Sequence, residues 1–155
     1  MKKILQIKKR REDKACGLLQ DKKIALEKAQ KFWEGKKKEL ANFHKWRIEH
    51  EQELFQEVVQ QSLQTKELEI YRFKVTKLRV QEKAKKADVE KARLERKHAR
   101  EEEQEARNHY NQAVRNRKKI EEFNKKIDEQ LRKNEERKTE KELEDIPNRK
   151  RSSSA

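Results

Sequence analysis

Between Gly35 and Pro147 the chain contains neither glycine nor proline. Lys36 to Ile146 is therefore one stretch without a strong helix breaker. Lys, Glu, Gln, Arg, Ala and Leu dominate it, and such side chains lose little rotamer freedom in a helix. With 2 Gly and 1 Pro in 155 residues, the chain cannot supply the turns of a sheet, a barrel or an α/β fold. Only 31% of residues are hydrophobic and 48% are charged, too little apolar surface for a rounded core. Long helices remain, and apolar periodicity decides how they pack.

The second half shows that periodicity. Steps of three and four residues from Leu68 reach Tyr71, Val75, Leu78, Glu82, Lys85, Val89, Ala92, Arg96, Ala99, Glu103, Ala106, Tyr110, Ala113, Arg117, Ile120, Asn124, Ile127 and Leu131. Thirteen of these nineteen are apolar, counting Ala and Tyr. This is the heptad seam of a left-handed coiled coil. Its middle, Glu82 to Ala106, is rich in Ala and charge, so close or weak packing is expected there.

The first half carries two adjacent rows. One is Ile4, Ile7, Leu18, Ala25, Ala29, Phe32, Leu40, Phe43, Leu54 and Val58; the other is Leu19, Leu26, Trp33, Trp46, Phe55 and Val59. Two rows predict a wider apolar face than the second half has. Arg11 and Lys36 interrupt the first row, with their stems expected along the seam and their heads in water.

The halves meet at Gln60 to Glu67, where the apolar phase changes. Ser62 and Thr65 are N-cap residue types, and Glu67 suits a first helical turn. The expected fold is all-α: a long two-helix antiparallel coiled-coil hairpin, with helix one over 1–59, a turn at 60–66, helix two over 67–146 and a disordered basic tail at 147–155. A continuous helix is the alternative. Helix two should overhang the N-terminus by several turns, and Pro147 should end it.

The net charge is +14, unevenly placed. Residues 49–69 hold Glu49, Glu51, Glu53, Glu57, Glu67 and Glu69 against Lys66 alone. The turn end is thus acidic and the end with both termini basic, which suggests different partners at the two ends. Lys8-Lys9-Arg10-Arg11 and Asn148-Arg149-Lys150-Arg151 predict non-specific nucleic-acid binding at low salt. No base-reading pattern accompanies them, so no specific nucleic acid is expected.

No enzyme chemistry is expected. Gly17 and Gly35 stand alone, unlike a phosphate loop. His44 and His50 lie on different helix faces, and His98 and His109 are too far apart to share a metal. Cys16 has no Cys or His at ligand spacing, and as a single cysteine it fits a reducing cytosol. No cofactor is implied. The N-terminal residues lack the apolar core of a signal peptide, and no segment is apolar enough for membrane insertion.

Phe43, Trp46, Ile48, Leu54 and Phe55 crowd one short segment near the turn. A seam takes about two of every seven positions, so some of them should be exposed beside Arg47 as a binding surface. Here the chain resembles a family. Trp46-Arg47-Ile48, then Glu51, Leu54-Phe55, a short polar turn and Lys66-Glu67-Leu68-Glu69 are similar to the central-stalk proteins of bacterial type III secretion systems, the YscO family. The flagellar export stalk is a more distant relative. The basic opening Ile4-Leu5-Gln6-Ile7-Lys8-Lys9-Arg10-Arg11 also resembles that family.

The resemblance implies a cytoplasmic hairpin peripheral to the inner-membrane secretion apparatus, similar to the stalk of rotary ATPases. Its terminal end would sit in a hexameric secretion ATPase, through Lys2, Lys3, Lys8, Lys9, Arg10 and Arg11 with the distal part of helix two. Its tip would meet the membrane export-gate protein through Phe43, Trp46, Arg47 and Phe55. Secretion chaperones or regulators are further implied partners. The isolated chain is expected to be a monomer. Two other readings fit the residues: a self-associating structural scaffold, and a basic nucleic-acid or membrane-surface binder.

Overall fold

A computed structural model describes residues 2–61 and 64–153, the last six of these by their backbone alone. They form two helices, α1 (Lys2–Gln60) and α2 (Thr65–Ser153). The fold is the expected antiparallel helical hairpin, and no strand occurs among the described residues. The chain divides into two compact units, Leu18–Arg107 and Met1–Gly17 with Asn108–Ala155.

The larger unit contains the turn. The Gln61 N–H donates to the Glu57 carbonyl at 3.1 Å, closing α1. The Gln64 carbonyl then accepts the N–H groups of Glu67 and Leu68, each at 3.1 Å. Gln64 is thus the N-cap, and Thr65 is the first helical residue. The sequence offers Thr65 as one of two cap candidates, but backbone geometry places it one step inside. Ser62, the other cap candidate, lies outside the described residues. Glu67 sits in the first turn of α2, where a carboxylate suits the unpaired N–H groups.

The seam of α2 follows the expected register closely. Eighteen of its nineteen positions, Leu68 through Ile127, are buried or half-buried, and only Leu131 is exposed. In the larger unit Leu78 and Ala92 are core residues. The alanines at 92, 99 and 106 repeat at one heptad position, and their small side chains let the partner helix come close.

The seam of α1 differs from the two apolar rows. The covered seam positions in the larger unit are Leu19, Lys22, Leu26, Ala29, Trp33, Lys36, Leu40, Phe43, Arg47, His50 and Leu54, with Val58 buried near the turn and Gln30 and Glu51 half-buried alongside. In the smaller unit they are Leu5, Lys8, Glu12 and Ala15, with Cys16 alongside. Both sets keep the three-four spacing. Ile4, Ile7, Leu18, Phe32, Trp46, Phe55 and Val59 are exposed. The wide apolar face is therefore only half covered, because one partner helix spans a single seam.

Charge pairing explains the polar seam positions. In the larger unit Lys22 Nζ meets Glu102 Oε2 at 2.9 Å. Arg47 Nε lies 2.5 Å from Glu82 Oε2. Arg96 stands 4.8 Å from the Trp33 ring centroid. In the smaller unit Glu12 pairs with Arg117. Each layer needs a specific partner opposite it, which penalises register slips.

α2 does not stop at Ile146 but passes through Pro147 to Ser153, so the basic tail continues the helix where disorder was expected. Proline removes one backbone donor and crowds the carbonyl four residues back. Residues 141–147 are exposed on all sides, so water can serve the freed Leu143 carbonyl.

Candidate partner-binding surfaces

The tip cluster separates into an outward and an inward group. Trp46 and Phe55 are 47% and 54% exposed, and Ile48 joins them at 41%. Trp46 stacks on His50, one helical turn on, with ring centroids 4.7 Å apart and planes 14° from parallel. Phe43 lies half-buried, 5.6 Å from the Trp46 centroid, with Lys85 Nζ 5.3 Å from its own centroid. Phe55 crosses the hairpin to Tyr71, centroids 6.1 Å apart. A groove of about 370 Å³ runs beside it, lined by Ile48, Glu51, Gln52, Phe55, Gln56 and Tyr71.

Arg47 turns inward. Its side chain is 13% exposed, against 8% for Glu82 and 16% for Glu51. Its Nη1 donates to Glu51 Oε1 at 2.8 Å. The contact with Glu82 is close but off the line of a hydrogen bond, leaving the Nε–H without an aligned acceptor. His44 Nδ1 meets the other Glu82 oxygen at 2.5 Å. Arg79 Nε donates to Glu51 Oε1 at 3.4 Å. Arg47 is thus the centre of an interior ion cluster rather than part of an exposed recognition surface.

The cluster shifts the titration of its members. The hydrogen bond to Glu51 raises the Arg47 pKa above its ordinary value, against the opposing effect of burial, with the Glu51 and Glu82 charges adding to the rise. For Glu82, burial opposes ionisation, but the His44 hydrogen bond and the Arg47 charge outweigh it and hold the carboxyl below its ordinary range. The partners of Arg47 were missed in the sequence because pairing it with Glu82 requires the register of α1 against α2. The available signals were Glu51, four residues on from Arg47 in the same helix, and Glu82, a carboxylate on the seam.

The basic terminal residues behave differently. Lys2, Lys3, Lys9, Arg10 and Arg11 are exposed, while Lys8 takes a half-buried seam position. None of the six forms an ion pair with another described residue. Lys8 and Arg11 line a groove of about 270 Å³ with His109, Gln112, Ala113 and Asn116. This unpaired cationic surface suits an acidic partner.

Among the described residues no group of His, Cys, Asp and Glu could hold a metal ion, and no helix is long and apolar enough to cross a membrane. The family model described as type III secretion protein YscO matches residues 1–148. Comparison with curated proteins and with solved structures gave no match.

Proposed function

Because the chain belongs to the YscO family of type III secretion proteins, we propose that it is the non-enzymatic central stalk of the export apparatus. The terminal end enters the hexameric secretion ATPase. Its contacts are Lys2, Lys3, Lys8, Lys9, Arg10 and Arg11, together with distal α2. The tip meets the membrane export-gate protein through Trp46 and Phe55, with Phe43 beside them and Arg47 holding the tip helices in register. Secretion chaperones or regulators bind the same hairpin. The protein works in the cytoplasm, peripheral to the inner-membrane apparatus.

The observation that carries this reading lies in the smaller unit. Past Ile127, every α2 side chain with a described environment, through Pro147, is exposed. A helix continued this far beyond its intramolecular partner has its apolar and charged groups free for another protein. The unpaired cations at the start of α1 belong to the same unit.

The stalk performs no chemistry on ATP. It favours ring assembly by binding the assembled ring better than free subunits. It biases ring states through contacts that differ among them. One two-helix hairpin within a six-fold ring makes the six sites inequivalent. ATP hydrolysis by the cognate export ATPase, measured with and without this chain alongside sizing of the mixture, tests the proposal. Stimulation and a complex of one stalk per hexamer are expected. An active ATPase that is neither stimulated nor bound at moderate salt refutes it.

A further inference from the structure

α2 carries a second heptad seam on its outer face. Residues 70, 73, 77, 80, 84, 87, 91 and 94 read Ile, Phe, Lys, Val, Ala, Ala, Lys and Leu, at unbroken three-four spacing. All eight positions are exposed. Phe73 is 70% exposed, Val80 61%, Ile70 55% and Leu94 51%. Each position follows a residue of the inner seam by two. Two residues turn an α-helix by about 200°, so this row lies opposite the inner seam, with Ile70 at its turn end also lining a groove with Leu54 and Val58 of α1. Single exposed apolar side chains are ordinary on any surface. Six apolar residues in eight successive seam positions form a continuous stripe, roughly 36 Å long at the helical rise, of the kind that marks an interaction site.

The charges around the stripe select its occupant. Residues 70–94 hold nine Lys or Arg against Glu82, Asp88 and Glu90. Glu82 is committed to Arg47 and His44 inside the hairpin, and Glu90 to Arg93. Lys77 and Lys91 lie on the stripe, and Lys74 and Lys83 flank it. None of these four pairs with a described acidic residue. A second copy would bring the same excess of positive charge against this one. We propose that the outer face of α2 from Ile70 to Leu94 docks an acidic amphipathic helix of a partner protein. Its apolar residues would complete the seam, and its flanking carboxylates would meet Lys74, Lys77, Lys83 and Lys91. This face is not among the ATPase or gate contacts assigned above and stands or falls independently of them.

The test uses the full chain and two labelled synthetic peptides of about four heptads. One has Leu at the seam positions and Glu on both flanks; the other has Lys in place of that Glu. Fluorescence anisotropy in about 150 mM salt should show saturable binding of the acidic peptide and none of the basic one. Phe73→Ser with Val80→Ser should weaken binding at least about tenfold. Circular dichroism should be unchanged, since both side chains face water. Lys77→Glu with Lys91→Glu should reverse the preference between the peptides. No saturable binding of the acidic peptide overturns the proposal, as does binding indifferent to the Phe73 and Val80 substitutions. Sedimentation equilibrium gives the remaining decisive result. A dimer of the 18.9 kDa chain that Phe73→Ser with Val80→Ser dissolves would assign the face to a second copy and overturn the partner helix.

Discussion

Arg47 on α1 and Glu82 on α2 meet at 2.5 Å across the seam, and together with Glu51 and His44 they form a charged layer inside the hairpin. This layer fixes which residues of α1 stand opposite which residues of α2, because a shift by one heptad would part the buried Glu82 from both Arg47 and His44. It also separates the roles of two adjacent residues, since Trp46 faces water while Arg47 faces α2.

Arg47→Ala should therefore destabilise the fold. It leaves the largely buried Glu51 and Glu82 with only Arg79 and His44 as partners, at a cost of about 1–3 kcal/mol. Arg47→Met with Glu82→Leu should recover most of that loss, because a packed apolar pair can replace an interior ion pair. Thermal melting followed by circular dichroism checks both. An Arg47→Ala protein with an unchanged melting temperature would show that the layer contributes nothing.

Trp46→Ala should leave the melting temperature nearly unchanged, as surface substitutions usually cost within about 0.5 kcal/mol. Under the proposed gate contact, its effect should appear in partner binding. Loss of an exposed tryptophan anchor of about 2 kcal/mol weakens binding roughly thirtyfold. Titration against the soluble domain of the export-gate protein measures it. Unchanged affinity would remove Trp46 from the gate contact.

Leu78→Glu should open the larger unit. Leu78 is a core position, one turn from Glu82, so the new carboxylate is buried without a cation beside an existing one. A loss of about 3–5 kcal/mol is expected. The control is Val80→Glu on the outer face, which should melt within about 0.5 kcal/mol of the parent. Equal melting of the two variants would contradict the inner register.

Acid should weaken the hairpin. The Glu82 carboxyl is held low because the His44 hydrogen bond and the Arg47 charge outweigh its burial. Glu102 is held low by its hydrogen bond from Lys22 and the charge of that lysine. A depressed folded-state pKa contributes stability that is fully present above the unfolded value, about 4.3 for Glu, and is lost as pH falls through the folded one. The melting temperature should thus lose this contribution progressively below about pH 4.5. Glu82→Gln should shrink the decline. A parent and Glu82→Gln with superimposable acid profiles would exclude Glu82 as its source.

Helix type, the hairpin and the inner register of α2 were legible without coordinates. α2 has a narrow apolar stripe, so following Leu68, Tyr71, Val75 and Leu78 in heptad steps leads through Glu82 and Arg96 without losing phase. α1 has two apolar rows, and hydrophobicity cannot choose between them. The rows led to Ile4, Leu18 and Phe32, all exposed, and passed over Glu12, Lys22 and Arg47, which occupy the seam.

The sequence by itself determined that this protein is helical and hairpin-shaped, because glycine and proline are nearly absent and the apolar spacing is that of a coiled coil. Only the tertiary structure decided which face of α1 is covered. That choice rests on Arg117, Glu102 and Glu82 of α2, whose charges call for Glu12, Lys22 and Arg47 opposite them. A charge in a seam looks like an interruption until its partner is in place. For the same reason the exposed aromatic Trp46 and the buried cation Arg47, neighbours in the chain, could be told apart only once both helices were present.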